Sequence, residues 1–276
     1  MNPTPGDASP PELAVIELRE GAAGPMPLVL LHGFPVDSRM WEAAAAQLPG
    51  DRAVLGVDLP GLGRSADAGL PTEPALEAAA DAVAQALAAR GVDYAIVAGL
   101  SMGGYVALAL LERHPGVVAG LGLLDTKSTA DDEDARVNRL RIADAVEATG
   151  SVEEVLPMGA ALLGESTRAA RPTLAATLTA WIEEQQPAGV AWSQRAMAAR
   201  PDRSDLLREF QGPAMVLVGD EDQVTPAAVA EEMAAALPAG KLVVVVRSGH
   251  MSAIEDPAAV AAALGDLGQR VDAADA

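Results

Sequence analysis

Short apolar runs alternate with amphipathic runs along most of this 276-residue chain, and that rhythm restricts the fold more than any other feature. The sequence predicts strands over Leu13–Arg19, Leu28–Leu31, Ala53–Leu59, Tyr94–Ala98, Leu121–Leu124, Ala214–Val218 and Leu242–Val246. It predicts helices over Ser38–Leu48 (with Ser38 as the cap), Pro71–Arg90, Tyr105–Arg113, Pro226–Leu237 and Pro257–Leu267. Strands separated by helices rather than by tight turns cannot pair as hairpins. The expectation is a mainly parallel sheet of about seven or eight strands with helices on both faces. Leu13–Arg19 alternates weakly and is expected at an antiparallel edge.

The rhythm breaks once. Residues 127–210 contain no convincing strand and read as helices near Asp131–Ala148, Val152–Leu163, Thr167–Gln186 and Gly189–Ala199. An all-helical block inside a strand–helix alternation is expected to form a cap over the sheet's carboxyl edge. The chain then divides into core residues 1–126, a helical cap 127–210 and core residues 211–276. Its length suits one α/β domain carrying an insertion.

Composition removes several function classes. With 39 acidic against 19 basic residues the formal net charge is −20, which repels phosphate backbones and argues against nucleic acid. A solvated acidic surface is the simplest account of that charge. The absence of cysteine excludes disulfides, thiol catalysis and thiolate metal sites, and fits a cytoplasmic location. The start, MNPTPGDASPPE, has neither a basic region nor an apolar stretch, so no signal peptide is expected. No apolar run is long enough to span a bilayer, so no membrane partner is expected. The Pro-rich start and Val271–Ala276 are expected to be disordered tails. Aromatic residues are only 3% of the chain, so Leu, Val and Ala must fill the core, with Trp41 expected there too.

Gly99-Leu-Ser101-Met-Gly103-Gly104 lies where a predicted strand meets a predicted helix. A serine hydroxyl that must stand clear of a sheet edge needs a strained, very tight turn. Side chains two residues to either side would collide, which suits Gly99 and Gly103. Such a serine needs a base and a carboxylate to orient it. Three histidines are available. His114 ends the helix that follows the motif, where a cation suits the helix dipole. His32, in Leu-His-Gly-Phe-Pro, follows a strand and sits where an oxyanion loop would. His250, in Ser-Gly-His-Met, follows the last strand, at the edge where ligand-facing residues collect in open sheets. His250 is therefore the candidate base. Asp220, Glu221 and Asp222 all follow the strand Ala214–Val218, and Asp125 ends another strand. Reading Thr225 and Pro226 as helix cap and first helical residue puts Asp220 and Glu221 nearer the strand, and the residues alone leave the choice open. Backbone N–H groups of Met102 and Phe34 are the candidate oxyanion donors, with Gly33 permitting close approach.

Together these residues resemble the α/β-hydrolase family across nearly the whole chain. The order Ser101, acid, His250 is the family's order. Its acid follows a Gly-x-x-Asp pattern, which matches Gly219 and Asp222 and so implies Asp222. Asp58-Leu-Pro-Gly-Leu-Gly-Arg-Ser65 and Ser248–Pro257 are similar to the family's structural loop and histidine loop. The family usually opens with two antiparallel strands; one is clear here, so the sheet is expected to be one strand shorter. Small bacterial carboxylesterases, 3-oxoadipate enol-lactonases and non-haem haloperoxidases are nearest in character. The resemblance implies a serine hydrolase of a small carboxylic ester or lactone, acting through an acyl-enzyme with no metal or organic cofactor. Perhydrolysis on the same three residues and a slow-turnover small-molecule receptor are the alternatives. Serine at position 101 disfavours a haloalkane dehalogenase, and the acidic first cap helix disfavours an interfacial lipase. Met158, Trp181, Trp192 and Met197 are candidate pocket residues in the cap. Monomer and homodimer are both open.

Overall fold

The computed structural model describes residues 12–275. In chain order the elements are β1 (Val15–Arg19), β2 (Leu28–Leu31), α1 (Glu42–Gln47), β3 (Val54–Val57), α2 (Leu76–Ala88), β4 (Ala95–Leu100), α3 (Met102–Arg113) and β5 (Val118–Leu124). Six helices follow without a strand: α4 (Glu133–Thr149), α5 (Met158–Ala161), α6 (Glu165–Ala170), α7 (Pro172–Glu183), α8 (Pro187–Ala199) and α9 (Ser204–Glu209). The alternation resumes with β6 (Ala214–Gly219), α10 (Ala227–Ala236), β7 (Gly240–Val245), α11 (Ser252–Glu255) and α12 (Pro257–Asp275).

The seven strands form one sheet in the order β1-β3-β2-β4-β5-β6-β7. β1 pairs antiparallel with β3 and every other pair is parallel. This is the α/β-hydrolase fold, and among the described residues it opens with the single antiparallel strand that the sequence predicts. β2, β4, β5 and β6 are buried along their whole length, as strands covered on both faces must be. Every crossover delivers the carboxyl ends of β2, β4, β5, β6 and β7 to one edge, which is where an open sheet of this kind gathers its functional loops. The six-helix segment meets that edge. Its Gln185 donates to Asp37 beyond β2 at 2.9 Å, and its Leu162 carbonyl accepts from the His250 N–H beyond β7 at 3.0 Å.

Several boundaries differ from the sequence expectation. Pro172 has no N–H to continue a helix, so the predicted Thr167–Gln186 helix divides into α6 and α7, with Arg171 at φ −136° between them. The predicted Val152–Leu163 helix shrinks to a 3₁₀ turn at Glu153–Val155 followed by α5. Pro71 and Pro74 delay α2 until Leu76. The cap expected of Ser38 is supplied by Asp37, whose carboxylate accepts from the Arg39 N–H. Thr225 is not a helix cap either: Pro226 holds that position, and the threonine hydroxyl is used elsewhere.

The expected disorder at Val271–Ala276 is incorrect through residue 275, because α12 continues to Asp275. Val260, Leu264, Leu267 and Val271 recur at helical spacing and are all buried. Val271 packs over β5 at Gly120, and the neighbouring Asp272 pairs with Arg52 at 2.6 Å. The Pro-rich start lies outside the described residues. Among those described, no helix is long and apolar enough to cross a membrane.

Truncating Val271 to alanine should lower the unfolding free energy by about 1–3 kcal/mol, because the last turns of α12 belong to the core. A urea midpoint equal to the parent's would show that this turn adds nothing.

Candidate active site

Ser101 joins β4 to α3 with φ 52° and ψ −114°, a conformation that a residue with a side chain rarely adopts. The strain is held by hydrogen bonds on both sides of the peptide. The Ser101 N–H donates to Leu124 at 2.9 Å, and its carbonyl accepts from Gly104 (2.9 Å), Tyr105 (3.2 Å) and the Thr126 hydroxyl (2.8 Å). The flanking glycines are required by space. A Cβ on Gly99 would lie 2.1 Å from the Gly103 oxygen, and a Cβ on Gly103 would lie 2.1 Å from the Leu31 oxygen. The turn therefore packs directly on the end of β2.

The Ser101 hydroxyl lies 2.9 Å from His250 Nε2, and His250 Nδ1 lies 2.8 Å from Asp222 Oδ2. Three strand ends thus contribute one unbroken chain of hydrogen bonds. Asp222 is buried, which by itself would raise its proton affinity. Its bond to His250, the imidazolium charge and the Thr225 donors outweigh burial and hold the carboxyl below its usual range. An ionised Asp222 accepts from the Val224 N–H (2.7 Å), the Thr225 N–H (3.0 Å) and the Thr225 hydroxyl (2.7 Å). It therefore takes the Nδ1 proton of His250 as a hydrogen bond and leaves Nε2 free to accept from Ser101. Burial lowers the proton affinity of His250, but Asp222, Asp125 and Glu255 together raise it above the ordinary imidazole value.

The other candidates are occupied differently. His32 is fully buried; its Nε2 accepts the Leu59 N–H at 2.9 Å, so its proton sits on Nδ1, which donates to the Gly33 carbonyl. It staples the loop after β2 to the loop after β3. His114 ends α3 and pairs with Asp81 at 2.7 Å, far along the helix from Ser101. Asp220 caps the Arg247 N–H at 2.6 Å, and Glu221 accepts from the Ser166 N–H at 2.8 Å.

Asp125 accepts the Gly219 N–H at 2.9 Å and both donors of Ser252, tying β5 to β6 and to the start of α11. It has no exposed surface, and burial raises its carboxyl to about 7 despite the opposing pull of His250.

The loop after β2 lies against Ser101. A Cβ on Gly33 would be 3.6 Å from the Ser101 Cβ. Among the described residues, neither the Phe34 nor the Met102 N–H has a hydrogen-bond partner, and Met102 opens α3, where helix N–H groups are unpaired by construction. Phe34 and Met102 are otherwise buried.

The four large residues expected in a pocket are divided. Trp192 is buried and donates from Nε1 to the Pro71 carbonyl at 2.9 Å, and Met197 is buried with its sulfur accepting from Arg139 at 3.3 Å. Trp181 lies beneath the Arg39 guanidinium, 5.4 Å away, and Met158 packs half-buried on the core. Trp41 is in the core, as expected.

Glu255 is the residue that sequence reasoning missed. Its buried carboxylate accepts from Gly164, Gly249 and Met251. The Ser-Ala-Ile-Glu-Asp-Pro run after His250 was its signal, since an acid five residues past a loop histidine can fold back on that loop. Among the described residues no cluster of three or more His, Asp or Glu side chains could hold a metal ion.

Asp125 predicts a pH signature. A carboxyl whose folded-state affinity is raised binds its proton more tightly in the folded than in the unfolded chain, so stability is lost as pH rises from the ordinary value of 3.8 to about 7. Asp125→Asn should flatten that part of the stability–pH curve, by on the order of a few kcal/mol across the interval. Unfolding curves of identical pH slope for parent and variant would refute the assignment.

The α/β-hydrolase fold family model matches residues 26–257. A pimeloyl-[acyl-carrier protein] methyl ester esterase from Aromatoleum aromaticum is 30% identical over 87% of this chain and 97% of its own. A 2-succinyl-6-hydroxy-2,4-cyclohexadiene-1-carboxylate synthase from an Enterobacter species is 33% identical over 90% of this chain and 94% of its own. Among solved structures, a thermophilic esterase from Thermogutta terrifontis, with malate bound, is 34% identical with a TM-score of 0.86, covering 98% of this chain and 96% of its own. With its fold, its strand-end serine and these relatives, the chain belongs to the α/β-hydrolase family.

Proposed function

We propose that this carboxylic ester hydrolase cleaves small esters or lactones with Ser101 as nucleophile, His250 as base and Asp222 as the orienting acid. The continuous hydrogen-bond chain from the Ser101 hydroxyl through His250 to Asp222 carries the reading. Esterase relatives support the reaction class.

In the proposed reaction His250 Nε2 takes the serine proton as Oγ attacks the carbonyl carbon. The carbonyl oxygen gains the charge, and the unpaired N–H groups of Phe34 and Met102 bind it. Asp222 keeps the imidazole in the Nδ1–H form and stabilises the imidazolium. Collapse of the tetrahedral species expels the alcohol, which takes the proton from His250. A water molecule deprotonated by His250 then releases the acid from Ser101.

Residues 127–210 act as the cap in this reading, with the half-buried Met158 and Trp181 as its remaining large residues for substrate contact. Trp192 and Met197 support them from within the packing.

Ser101→Ala should abolish labelling by a fluorophosphonate and reduce p-nitrophenyl acetate hydrolysis by at least about 10³-fold. Asp222→Asn should cost about 10⁴-fold in kcat through the wrong imidazole tautomer. Undiminished hydrolysis by folded Ser101→Ala would refute the mechanism. Peracid formation exceeding hydrolysis would favour the perhydrolase, and rapid labelling with very slow turnover the receptor.

A rate–pH profile supplies an independent check. Neutral His250 is the active form, so kcat/KM should fall as pH drops through its titration. Because the surrounding carboxylates raise its proton affinity, the midpoint should lie above the ordinary imidazole value of 6.5. A midpoint below that value would contradict the assigned environment.

A further inference from the structure

Three backbone N–H groups from two distant parts of the chain converge on one side chain. Glu255 Oε2 accepts from Gly249 at 3.0 Å and from Gly164 at 2.9 Å, and Oε1 accepts from Met251 at 3.0 Å. Gly249 and Met251 are the two neighbours of His250. The N–H between them, that of His250 itself, donates to the Leu162 carbonyl. All three consecutive amides of the histidine loop are therefore spoken for, two by Glu255 and one by the helical segment that also supplies Gly164.

Glu255 is only 5% exposed. A carboxylate removed from water is costly unless strong donors replace its hydration. Here three amides do so, and charge-assisted bonds of this kind are about twice as strong as neutral ones. Two oxygens on one rigid group also span donors that no single main-chain carbonyl could reach. The backbone on both sides of His250 is thereby fixed relative to α11, while α11 is fixed to Asp125 through Ser252. The groups facing His250 are Asp222 from the β6 loop, Asp125 from the end of β5 and Glu255 from α11, with Arg171 on the far side of Glu255, donating to its carbonyl.

We propose that Glu255 is a positioning residue for His250: it clamps the backbone on both sides of the imidazole and fastens that loop to residues 162–164 of the helical segment. The inference rests on His250 acting as the base. Reaction geometry is sensitive to displacements of about 1 Å, which can cost 10²-fold in rate even when the altered residue never touches substrate.

The test uses the full chain with Glu255→Gln and Glu255→Asp, p-nitrophenyl acetate as probe, and NMR titration of the histidine rings. Three histidines make His250 assignable by elimination. Glutamine keeps the shape but loses the charge and turns one acceptor into a donor facing an N–H. Glu255→Gln should lower kcat about 10- to 100-fold with KM near the parent's. Its acid limb and the His250 titration should both move to lower pH. A purely structural role would lower the melting temperature and leave kcat per folded molecule and the limb in place. Folded Glu255→Gln with parental kcat and parental His250 titration overturns the proposal. If that variant does not fold, Glu255→Asp decides: it keeps the charge but falls one methylene short. The limb should then stay and kcat should fall, and parental kcat overturns the proposal. An inactive, unlabelled parent would refute the ester reading instead, and the His250 titration would still read the effect of Glu255.

Discussion

One backbone conformation organises the whole carboxyl edge of the sheet. Ser101 at φ 52° is strained by about 1–3 kcal/mol, a cost that only a rigid surrounding can sustain. The sustaining bonds come from β5 (Leu124), from the first turn of α3 (Gly104, Tyr105) and from Thr126. Because β4 lies in the middle of the sheet, paired with β2 and β5, none of these can relax independently. The tight turn also explains why the Gly33 loop lies against Ser101: Gly103 has no Cβ, so α3 seats against the last carbonyls of β2. The Ser101 turn, the Gly33 loop and the β2–β4 register are one geometric solution.

Around that turn, carboxylates of identical chemistry are made different by their surroundings. Asp222 and Asp125 both end strands, both are buried and both lie near His250. Asp222 meets a hydroxyl, two amides and the imidazole, and is held ionised. Asp125 also meets two amides and a hydroxyl, but it lacks a bond to the imidazole and has no exposed surface, and burial wins. The first can orient and stabilise an imidazolium; the second is suited to joining strand ends.

How much of this was legible in the chain depends on how local the cause is. Strands β2 to β7, the Ser101 turn and the placing of His250 after the last strand follow from runs of a few residues, and each was readable. Asp222 was not separable from Asp220 and Glu221 by residue type, because the difference lies in donors brought from Thr225 and His250, twenty-odd residues apart. Assigning Thr225 to a helix cap even pointed the wrong way, since its hydroxyl bonds Asp222. The last turns of α12 were hidden by an Ala/Asp-rich composition, although Val271 continues the buried spacing of Val260, Leu264 and Leu267. Glu255 was legible only in part: two of its three donors are local, but the third, Gly164, comes from 91 residues away.

The same long-range contact bears on how the helical segment is held to the sheet edge. The turn at residues 162–166 is bound to the histidine loop through Glu255 and the Leu162 carbonyl, and to the loop of Asp222 through Glu221, which accepts from Ser166. These bonds are buried or partly buried and directed at backbone groups, so they survive most side-chain changes in the segment. At its other end the segment reaches the loop after β2 through Gln185, and its Glu184 pairs with Arg39 while 60% exposed, a contact of little energetic weight. A helical segment held to the histidine loop through main-chain amides, and to the loop after β2 by the buried Gln185–Asp37 bond and one exposed ion pair, can change its outward side chains without disturbing the spacing of Ser101 and His250.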